Sequence, residues 1–204
     1  MKKIILTSAI IMAAGATHAD VTPYVSLKSG YMANVIEVDT SSLGAPPGYK
    51  YIGIGDFDGF VGSVAGGIGG EIDPFVSLRG ELEYSYARTS MIMMGEKMTL
   101  NANAFMVNGY VDLGEKSWAI KPYVGAGAGY GFGNASMMGE SIDGDGGFIY
   151  SGTIGATYAF NQKFALDASV KRWINNGSIK MPLGPSLDTQ YVGTSFMLGA
   201  RYSF

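Results

Sequence analysis

The sequence predicts an all-β fold, an eight-stranded antiparallel up-and-down transmembrane β-barrel. Three observations lead to this fold: apolar and polar residues alternate with a period of two, glycine supplies 31 of 204 residues, and only 15% of the residues are charged. Soluble domains average roughly 25% charged residues and about 7% glycine. Because 47% of the residues are hydrophobic, the low charge does not indicate disorder.

The first nineteen residues have the pattern of a secretory signal peptide. Lys2 and Lys3 precede an apolar run that ends at Ala16, and two small residues flank His18. An apolar run of 13 residues is too short to cross a bilayer as a helix, which needs about 20 residues. We therefore expect residues 1–19 to be removed and residues 20–204 to form one barrel domain.

Removal of this segment takes away the only histidine, and the chain has no cysteine. A chain without His and Cys cannot build a Ser-His or Cys-His nucleophile, a zinc-thiolate site or an imidazole metal site. The mature chain keeps 12 Lys and Arg against 17 Asp and Glu, and this acidic balance argues against nucleic-acid binding. We expect no enzymatic activity, no cofactor and no metal site.

Eight segments alternate as strands do, and Gly, Pro, Asn and Asp bound them. The third is the clearest, because its apolar residues take even positions whereas Arg79, Glu81 and Glu83 take odd ones. Such a strand separates two different environments. The eight segments cover about 21–33, 59–72, 76–86, 99–113, 119–132, 147–160, 164–174 and 190–204.

The two faces of each segment differ in the same way. The apolar faces carry, in chain order, Val25 and Leu27; Phe60 and Val64; Leu78 and Leu82; Phe105 and Val107; Ile120 and Val124; Phe148 and Ile154; Leu166 and Val170; and Phe196 and Leu198. The polar faces carry, in the same order, Lys28; Glu71; Arg79, Glu81 and Glu83; Asn108 and Asp112; Lys121; Thr153; Asp167 and Lys171; and Arg201. Met106 falls on a polar face, which makes the fourth segment the least regular.

Short and long connections follow each other in turn along the chain. Short turns are predicted at Asp73-Pro74, at 114–117 and at 161–163, and longer loops near 34–58, 87–98, 133–146 and 174–189. This order is typical of an up-and-down barrel with all short turns at one end.

Two kinds of barrel fit eight alternating strands. A soluble barrel turns its apolar face inward and could bind apolar ligands, whereas a membrane barrel turns that face toward lipid. The polar faces carry only one or two charges per strand, too few for a hydrated outer surface. Aromatic residues also gather at both ends of the apolar faces, as they do at bilayer interfaces. The composition therefore favours the membrane barrel over a soluble periplasmic one.

An inward polar face would bring charges of both signs into a narrow lumen. These charges are Lys28, Arg79, Lys121, Lys171 and Arg201 against Glu71, Glu81, Glu83 and Asp167. An eight-stranded barrel is only wide enough for side chains to fill it, so the charges should pair and fix the strand register. A gated ion path through rearranging salt bridges is the alternative. Glu81 and Glu83 resemble a paired-carboxylate site, but Arg79 on the same face favours charge compensation.

The predicted second and third loops are rich in methionine. The candidate interaction residues there are Met91, Met93, Met94, Met137 and Met138. Met-rich surfaces adapt to partners, although hairpin extensions that pack on one another would explain the same residues. Cu(I) binding by the thioethers is a further alternative. Two Asp-Gly segments, at 56–59 and 143–146, resemble fragments of calcium loops, but they are more simply turns.

Three stretches resemble the opacity-type, porin-like family of eight-stranded outer-membrane barrels. They are PYVGAGAGYGF at 122–132, RGELEYSY at 79–86 and LGARYSF at 198–204. The resemblance implies insertion in a Gram-negative outer membrane, both termini in the periplasm and four long loops outside the cell. Gly199, Tyr202 and Phe204 are similar to the signal that the barrel-assembly machinery reads, although Met197 stands where that pattern has a polar residue.

The sequence thus predicts a monomeric outer-membrane barrel with a structural and surface-interaction role, similar to an adhesin or opacity protein. The expected partners are outer-membrane lipid, the barrel-assembly machinery during biogenesis, and a host or matrix ligand at the loops. A narrow ion-conducting pore is the first alternative, and a soluble periplasmic barrel is the second.

Overall fold

The computed structural model is a closed barrel in which each strand pairs with the next and the last pairs with the first. It describes residues 21–39, 51–93, 96–115, 117–137, 140–179 and 187–204, so the predicted signal peptide lies outside the described residues. The strands are β1 (Thr22–Asp39), β2 (Tyr51–Asp73), β3 (Val76–Met93), β4 (Glu96–Leu113), β5 (Ile120–Met137), β6 (Glu140–Ala159), β7 (Phe164–Ile179) and β8 (Leu187–Ser203). Every neighbouring pair is antiparallel, which confirms the eight-stranded up-and-down order. None of the described residues belongs to a helix that could cross a membrane.

The strand register fixes the width and tilt of the barrel. One row of paired residues runs once around it through Tyr24, Gly67, Glu81, Asn108, Gly127, Ser151, Trp173 and Gly193, and arrives at Asn34. The row therefore returns to β1 ten positions beyond its start, from residue 24 to residue 34. A shift of this size over eight strands corresponds to strands tilted by about 40° around a lumen that side chains fill.

Glycine stands beside the large inward residues of this row. A Cβ on Gly67 would lie 2.7 Å from the ring of Tyr24, and a Cβ on Gly127 would overlap the side-chain oxygen of Asn108. Glycine at these positions leaves room for the large side chain of the neighbouring strand. Several of the glycines that enrich the sequence therefore make space in the lumen.

The three short turns lie where the sequence predicts them. Asp73 begins the first, and its carboxylate accepts hydrogen bonds from the backbone N–H groups of Phe75 at 2.7 Å and Val76 at 2.9 Å. In the third turn, the side-chain oxygen of Asn161 accepts hydrogen bonds from the backbone N–H groups of Lys163 and Phe164, both at 2.8 Å. Gly114 has a φ of 124°, a conformation that other residues rarely adopt. We call this end of the barrel the turn end and the other the hairpin end.

The strands at the hairpin end are longer than predicted. The segments 34–58, 87–98, 133–146 and 174–189, expected to be loops, lie largely within strands wherever the structure describes them. In the second of these, Met91 pairs with Met98 and Met93 with Glu96. The apolar alternation stops near residue 86, so the pattern predicted a loop. The backbone ladder continues because two strands already in register gain hydrogen bonds at each added pair with little further entropy cost.

The outward and inward faces agree with the alternation. Leu27, Leu82 and Leu198 point outward and are 66%, 60% and 70% exposed, whereas Glu81 and Lys171 point inward and are 2% and 3% exposed. Met106 also points inward, as its position on a polar face predicts, and it is buried. Outward aromatic pairs lie at both ends, among them Phe164 with Tyr202 at the turn end and Tyr130 with Phe148 at the hairpin end.

The crowded lumen predicts opposite responses to an added methyl group on its two sides. A Cβ on the inward Gly125 would overlap the Tyr110 ring and come within 2.9 Å of the Gly109 carbonyl oxygen, whereas one on the outward Gly109 would meet nothing within 4 Å. We expect Gly125→Ala to lower the free energy of unfolding by about 1–3 kcal/mol because it overpacks the lumen. Gly109→Ala should leave that free energy unchanged or raise it. Urea titration of the folded protein in lipid vesicles measures both, and equal losses would contradict the packing.

Candidate functional site

Most of the predicted inward charges come from the lumen-facing positions of four strands. β1 supplies Lys28, β3 supplies Arg79, Glu81 and Glu83, β7 supplies Asp167 and Lys171, and β8 supplies Arg201. All except Arg201 are buried, and Arg201 is partly buried. Strands on opposite sides of the ring therefore place their charges within reach of one another.

Arg79 is the centre of the group nearest the turn end. Its Nε donates to Asp112 Oδ2 at 2.6 Å and its Nη2 donates to Asp112 Oδ1 at 2.9 Å, a two-bond arrangement that fits a planar guanidinium. Its Nη1 lies 3.4 Å from Glu81 Oε1, which also accepts a hydrogen bond from the Tyr24 hydroxyl at 2.8 Å. The guanidinium lies about 4.6 Å from the ring centroid of Tyr110. Arg79 is thus held by two carboxylates and an aromatic face.

Glu83 binds the second cation, Lys171, from across the barrel. The Lys171 Nζ donates to both carboxylate oxygens of Glu83, at 3.0 and 2.8 Å. Asn108 and Ser85 donate to the same carboxylate at 2.7 and 2.6 Å. The lysine ammonium also lies 4.2 Å from the Trp173 ring centroid, a cation–π contact. Two neutral donors and one counter-ion thus compensate the buried Glu83 charge.

Lys28 and Asp167 form the third pair, between β1 and β7. The Lys28 Nζ lies 3.1 Å from Asp167 Oδ1. The Tyr123 hydroxyl donates to that same oxygen at 2.9 Å, and Thr157 Oγ1 lies 3.5 Å from the other. Together the three groups connect residues of β1, β3, β4, β5, β6 and β7 through side chains alone.

Three predicted members of this network lie away from these pairs. Arg201 stacks over the Tyr24 ring at 5.3 Å from its centroid, with its Nη1 buried and without a hydrogen-bond partner among the described residues. Glu71 is exposed and Lys121 is half-buried, both toward the turn end. The structure therefore brings Lys28, Arg79, Glu81, Glu83, Asp167 and Lys171 together in these three groups, and it places Glu71 and Lys121 near the rim.

Asp112 is an inward charge that the sequence analysis leaves out of the network. It shares the polar face of β4 with Asn108 and Tyr110, so the alternation was a sufficient signal for it. With Asp112 included, the described lumen charges are four cations (Lys28, Arg79, Lys171 and Arg201) against four carboxylates (Glu81, Glu83, Asp112 and Asp167). The lumen is formally neutral, and the cations hold the carboxylates as structural partners. Within the described part of the chain, no three metal-binding side chains come together.

Two apolar layers close the lumen between these charges and the hairpin end. The first consists of Ala104, Met106, Ile149 and Trp173, with Met32 packed against it. The Trp173 Nε1 donates to Ser195 Oγ at 2.9 Å, which fixes the ring across the lumen. The second consists of Phe57, which is 1% exposed, with Met91, Met98, Leu100 and Tyr191 around it. The alternation pattern did not indicate either layer, because their members come from seven strands.

The methionine candidates take a different position from the one predicted. Met91 lies in β3 rather than in a loop, and it packs inward against Phe57. Met93 and Met137 are the last residues of β3 and β5, and Met94 and Met138 lie outside the described residues. The prediction of a loop was wrong for Met91, Met93 and Met137, because the hairpin ladders extend through them.

The candidate assembly residues lie on the last strand. Tyr202 packs against Phe164 and Phe204, at 4.9 and 5.2 Å between ring centroids. A Cβ on Gly199 would lie 2.5 Å from the Leu27 carbonyl oxygen and 2.6 Å from Lys28 Cγ. Gly199 therefore allows β8 to approach β1 closely where the ring closes.

Comparisons with known proteins agree with the barrel. The family model described as "Outer membrane protein beta-barrel domain" matches residues 4–204. The crystal structure of Neisserial surface protein A is similar at 16% identity, over 89% of this chain and 97% of that chain, with a TM-score of 0.57. At this identity the likeness shows a shared fold.

Two further solved structures are less similar. Ail, the attachment invasion locus protein of Yersinia pestis, matches at 18% identity over 89% of this chain and 98% of that chain, with a TM-score of 0.41. OprG from Pseudomonas aeruginosa matches at 15% identity over 90% of this chain and 96% of that chain, with a TM-score of 0.44. No curated protein matches significantly.

The Glu83–Lys171 pair makes a testable contribution to stability. Lys171→Met leaves the buried Glu83 carboxylate without its counter-ion and should lower the free energy of unfolding by about 3–5 kcal/mol. The double variant Glu83→Gln with Lys171→Met should recover most of that loss, because no unpaired charge remains. Urea titration in vesicles, followed by tryptophan fluorescence, measures the three stabilities. Lys97→Met, at an exposed position of β4, is the control, and an equal loss in that variant would contradict the pairing.

Proposed function

Because the chain belongs to the outer membrane protein β-barrel domain family, we propose that it spans the outer membrane of a Gram-negative bacterium as a surface-interaction protein. In this proposal residues 1–19 direct export and are removed, the turn end lies in the periplasm, and the hairpin end projects from the cell. The observation that carries the functional part is the lumen, which paired charges and two apolar layers fill. A filled barrel acts through its ends.

The outer face supports the location in a membrane. Every strand turns large apolar side chains outward; Phe60 on β2, Phe105 on β4 and Ile154 on β6, for example, are 52%, 59% and 61% exposed. A monomer in water rarely exposes an apolar patch of more than a few hundred Å², whereas lipid covers such a band around a membrane barrel. The soluble alternative would need these faces reversed.

The hairpin end supports the surface role. β3 and β4 extend together beyond the outward aromatic residues, and Ile92, Glu96 and Lys97 are exposed near their tips. Ile92 is 77% exposed and is therefore accessible to a partner at this end. Connections on a rigid scaffold are where binding residues concentrate. The expected partner is a host or matrix surface, as for an adhesin or opacity protein.

The ion-pore alternative needs an open path along the lumen. The Trp173 and Phe57 layers lie one after the other between the charged groups and the hairpin end. Water and ions are excluded from such apolar constrictions. The described lumen thus favours the surface role over conduction.

Single cysteines test the proposed orientation, because the chain has none of its own. Ile92→Cys at the hairpin end should react with a membrane-impermeant maleimide on intact cells. Lys163→Cys, in the exposed turn between β6 and β7, should react only after the outer membrane is permeabilised. Gel analysis of the labelled protein measures both, and labelling of the Lys163→Cys variant on intact cells would contradict the orientation.

Shortening the β3–β4 hairpin tests the surface role. Thr89 and Leu100 are paired in register, so the residues between them can be replaced by a two-residue Asn-Gly turn without a change of register. We expect the shortened barrel to fold and to bind cultured epithelial cells or matrix severalfold less well. Heat-modifiable gel migration confirms folding, and adhesion of bacteria that express each variant is the measurement. A length-preserving Gly/Ser tip controls for hairpin length. Unchanged adhesion after all four hairpins are shortened would contradict the proposal.

A further inference from the structure

The outer face carries a shallow furrow centred on β7. The furrow has a volume of about 890 Å³ and crosses the strands from β5 to β1, and its outward apolar lining includes Ile154, Ala168, Val170, Phe196 and Leu198. A second depression, of about 570 Å³, continues it toward the turn end and shares Ala168 and Leu198 with the first. The two depressions together form one continuous apolar track on the face that the proposed function turns toward lipid.

Side-chain size along the register explains the furrow. Ala168 on β7 pairs with Ala156 on β6, so two methyl groups form the floor. The walls are Ile154 on β6 and Phe196 and Leu198 on β8, which are 61%, 59% and 70% exposed. Small residues between bulky ones therefore leave a shallow track over β7.

Arg172 lies at the outer end of this track. Leu166, Ala168, Val170 and Arg172 follow one another on the same face of β7, so Arg172 lies about 13 Å beyond Ala168 toward the hairpin end. Its Nη1 donates to Thr194 Oγ1 at 2.9 Å. Its register partners are the uncharged residues Gly152 and Thr194. Among the described residues, no carboxylate lies within salt-bridge distance of Arg172.

This position is unusual for a cation. Arg172 is exposed on the outer face, and the neighbouring pair toward the hairpin end is the apolar Tyr150 and Ile174. A guanidinium beside an apolar surface needs a counter-ion, and its planar fork fits a phosphate through two hydrogen bonds. The Thr194 hydroxyl next to it can donate to the same anion.

We propose that the furrow and Arg172 form a binding site for a phosphorylated glycolipid of the outer leaflet. One acyl chain lies in the furrow over Ala168 and Val170, and a phosphate of the head group binds the Arg172 guanidinium and the Thr194 hydroxyl. The choice of the outer-leaflet lipid rests on the proposed function, which places the hairpin end outside the cell. A phospholipid or a second copy of the chain is a different occupant, and the experiment separates both from the glycolipid.

The test titrates refolded full-length barrel in detergent with lipid A, and native mass spectrometry or calorimetry reports the affinity. Arg172→Ala should weaken lipid A binding about tenfold, because one charge-assisted contact is lost. Arg88→Ala is the matched control, since Arg88 is also exposed on the outer face but lies on β3, away from the furrow. The control should bind as the unchanged protein does, and dephosphorylated lipid A should bind the unchanged protein as weakly as lipid A binds the Arg172→Ala variant.

A second pair of variants tests the furrow itself. Ala168→Phe fills its floor and should weaken lipid A binding, whereas Gly109→Leu adds a similar side chain to the outer face of β4, where a Cβ meets nothing within 4 Å, and should not. Heat-modifiable migration and recovery in the outer-membrane fraction are checked for every variant. If the unchanged barrel folds and fractionates normally but fails to bind lipid A, the lipid site is overturned and the proposed function is not.

Three results would overturn the proposal. The first is an equal loss of affinity in Arg172→Ala and Arg88→Ala, which would indicate general attraction between opposite charges. The second is equally tight, Arg172-dependent binding of phosphatidylglycerol, which would assign the site to phospholipid. The third is a crosslinked dimer that disappears in Ala168→Phe without any change in lipid binding, which would assign the furrow to a second copy.

Discussion

The closed ring of eight strands, with its ten-residue shift in register, constrains everything inside it. A lumen of this width holds side chains and little else, so each inward polar group depends on other side chains for its partners. The ion pairs in the lumen in turn help to fix the strand register. A slip of one residue in a single strand would turn its charges toward the outer face and its leucines inward, so the ion pairs and the apolar band specify the same alignment.

The way in which the lumen is filled decides where the protein can act. Arg79 with Asp112 and Glu81, Glu83 with Lys171, and Lys28 with Asp167 occupy the half nearer the turn end. Apolar layers occupy the other half. With the interior committed to packing and charge compensation, two surfaces remain for function: the hairpin ends and the outer face. The surface role and the lipid furrow use one of these each.

Period-two alternation was sufficient to predict the number of strands, their faces, the short turns and the residues that point inward. It could not predict which charges meet, because Glu83 reaches Lys171 at a separation of 88 residues and only the closed ring determines that distance. It also underestimated the strands at the hairpin end, where apolar and polar residues share a face although the backbone ladder continues. Met91 illustrates this limit, since a thioether in a predicted loop proved to be an inward residue packed on Phe57.

The ion pairs also bear on the order in which the chain can enter a bilayer. Two of the pairs join strands that are far apart in the chain: Lys28 of β1 meets Asp167 of β7, and Glu83 of β3 meets Lys171 of the same late strand. Until β7 arrives, the charges of the first three strands have no counter-ions from it, and an unpaired ion in hydrocarbon is costly. Insertion one strand at a time would expose such ions to lipid, so the early strands must stay shielded until the late ones join them. Insertion of the strands would therefore be concerted, with β1 and β3 entering the bilayer together with β7.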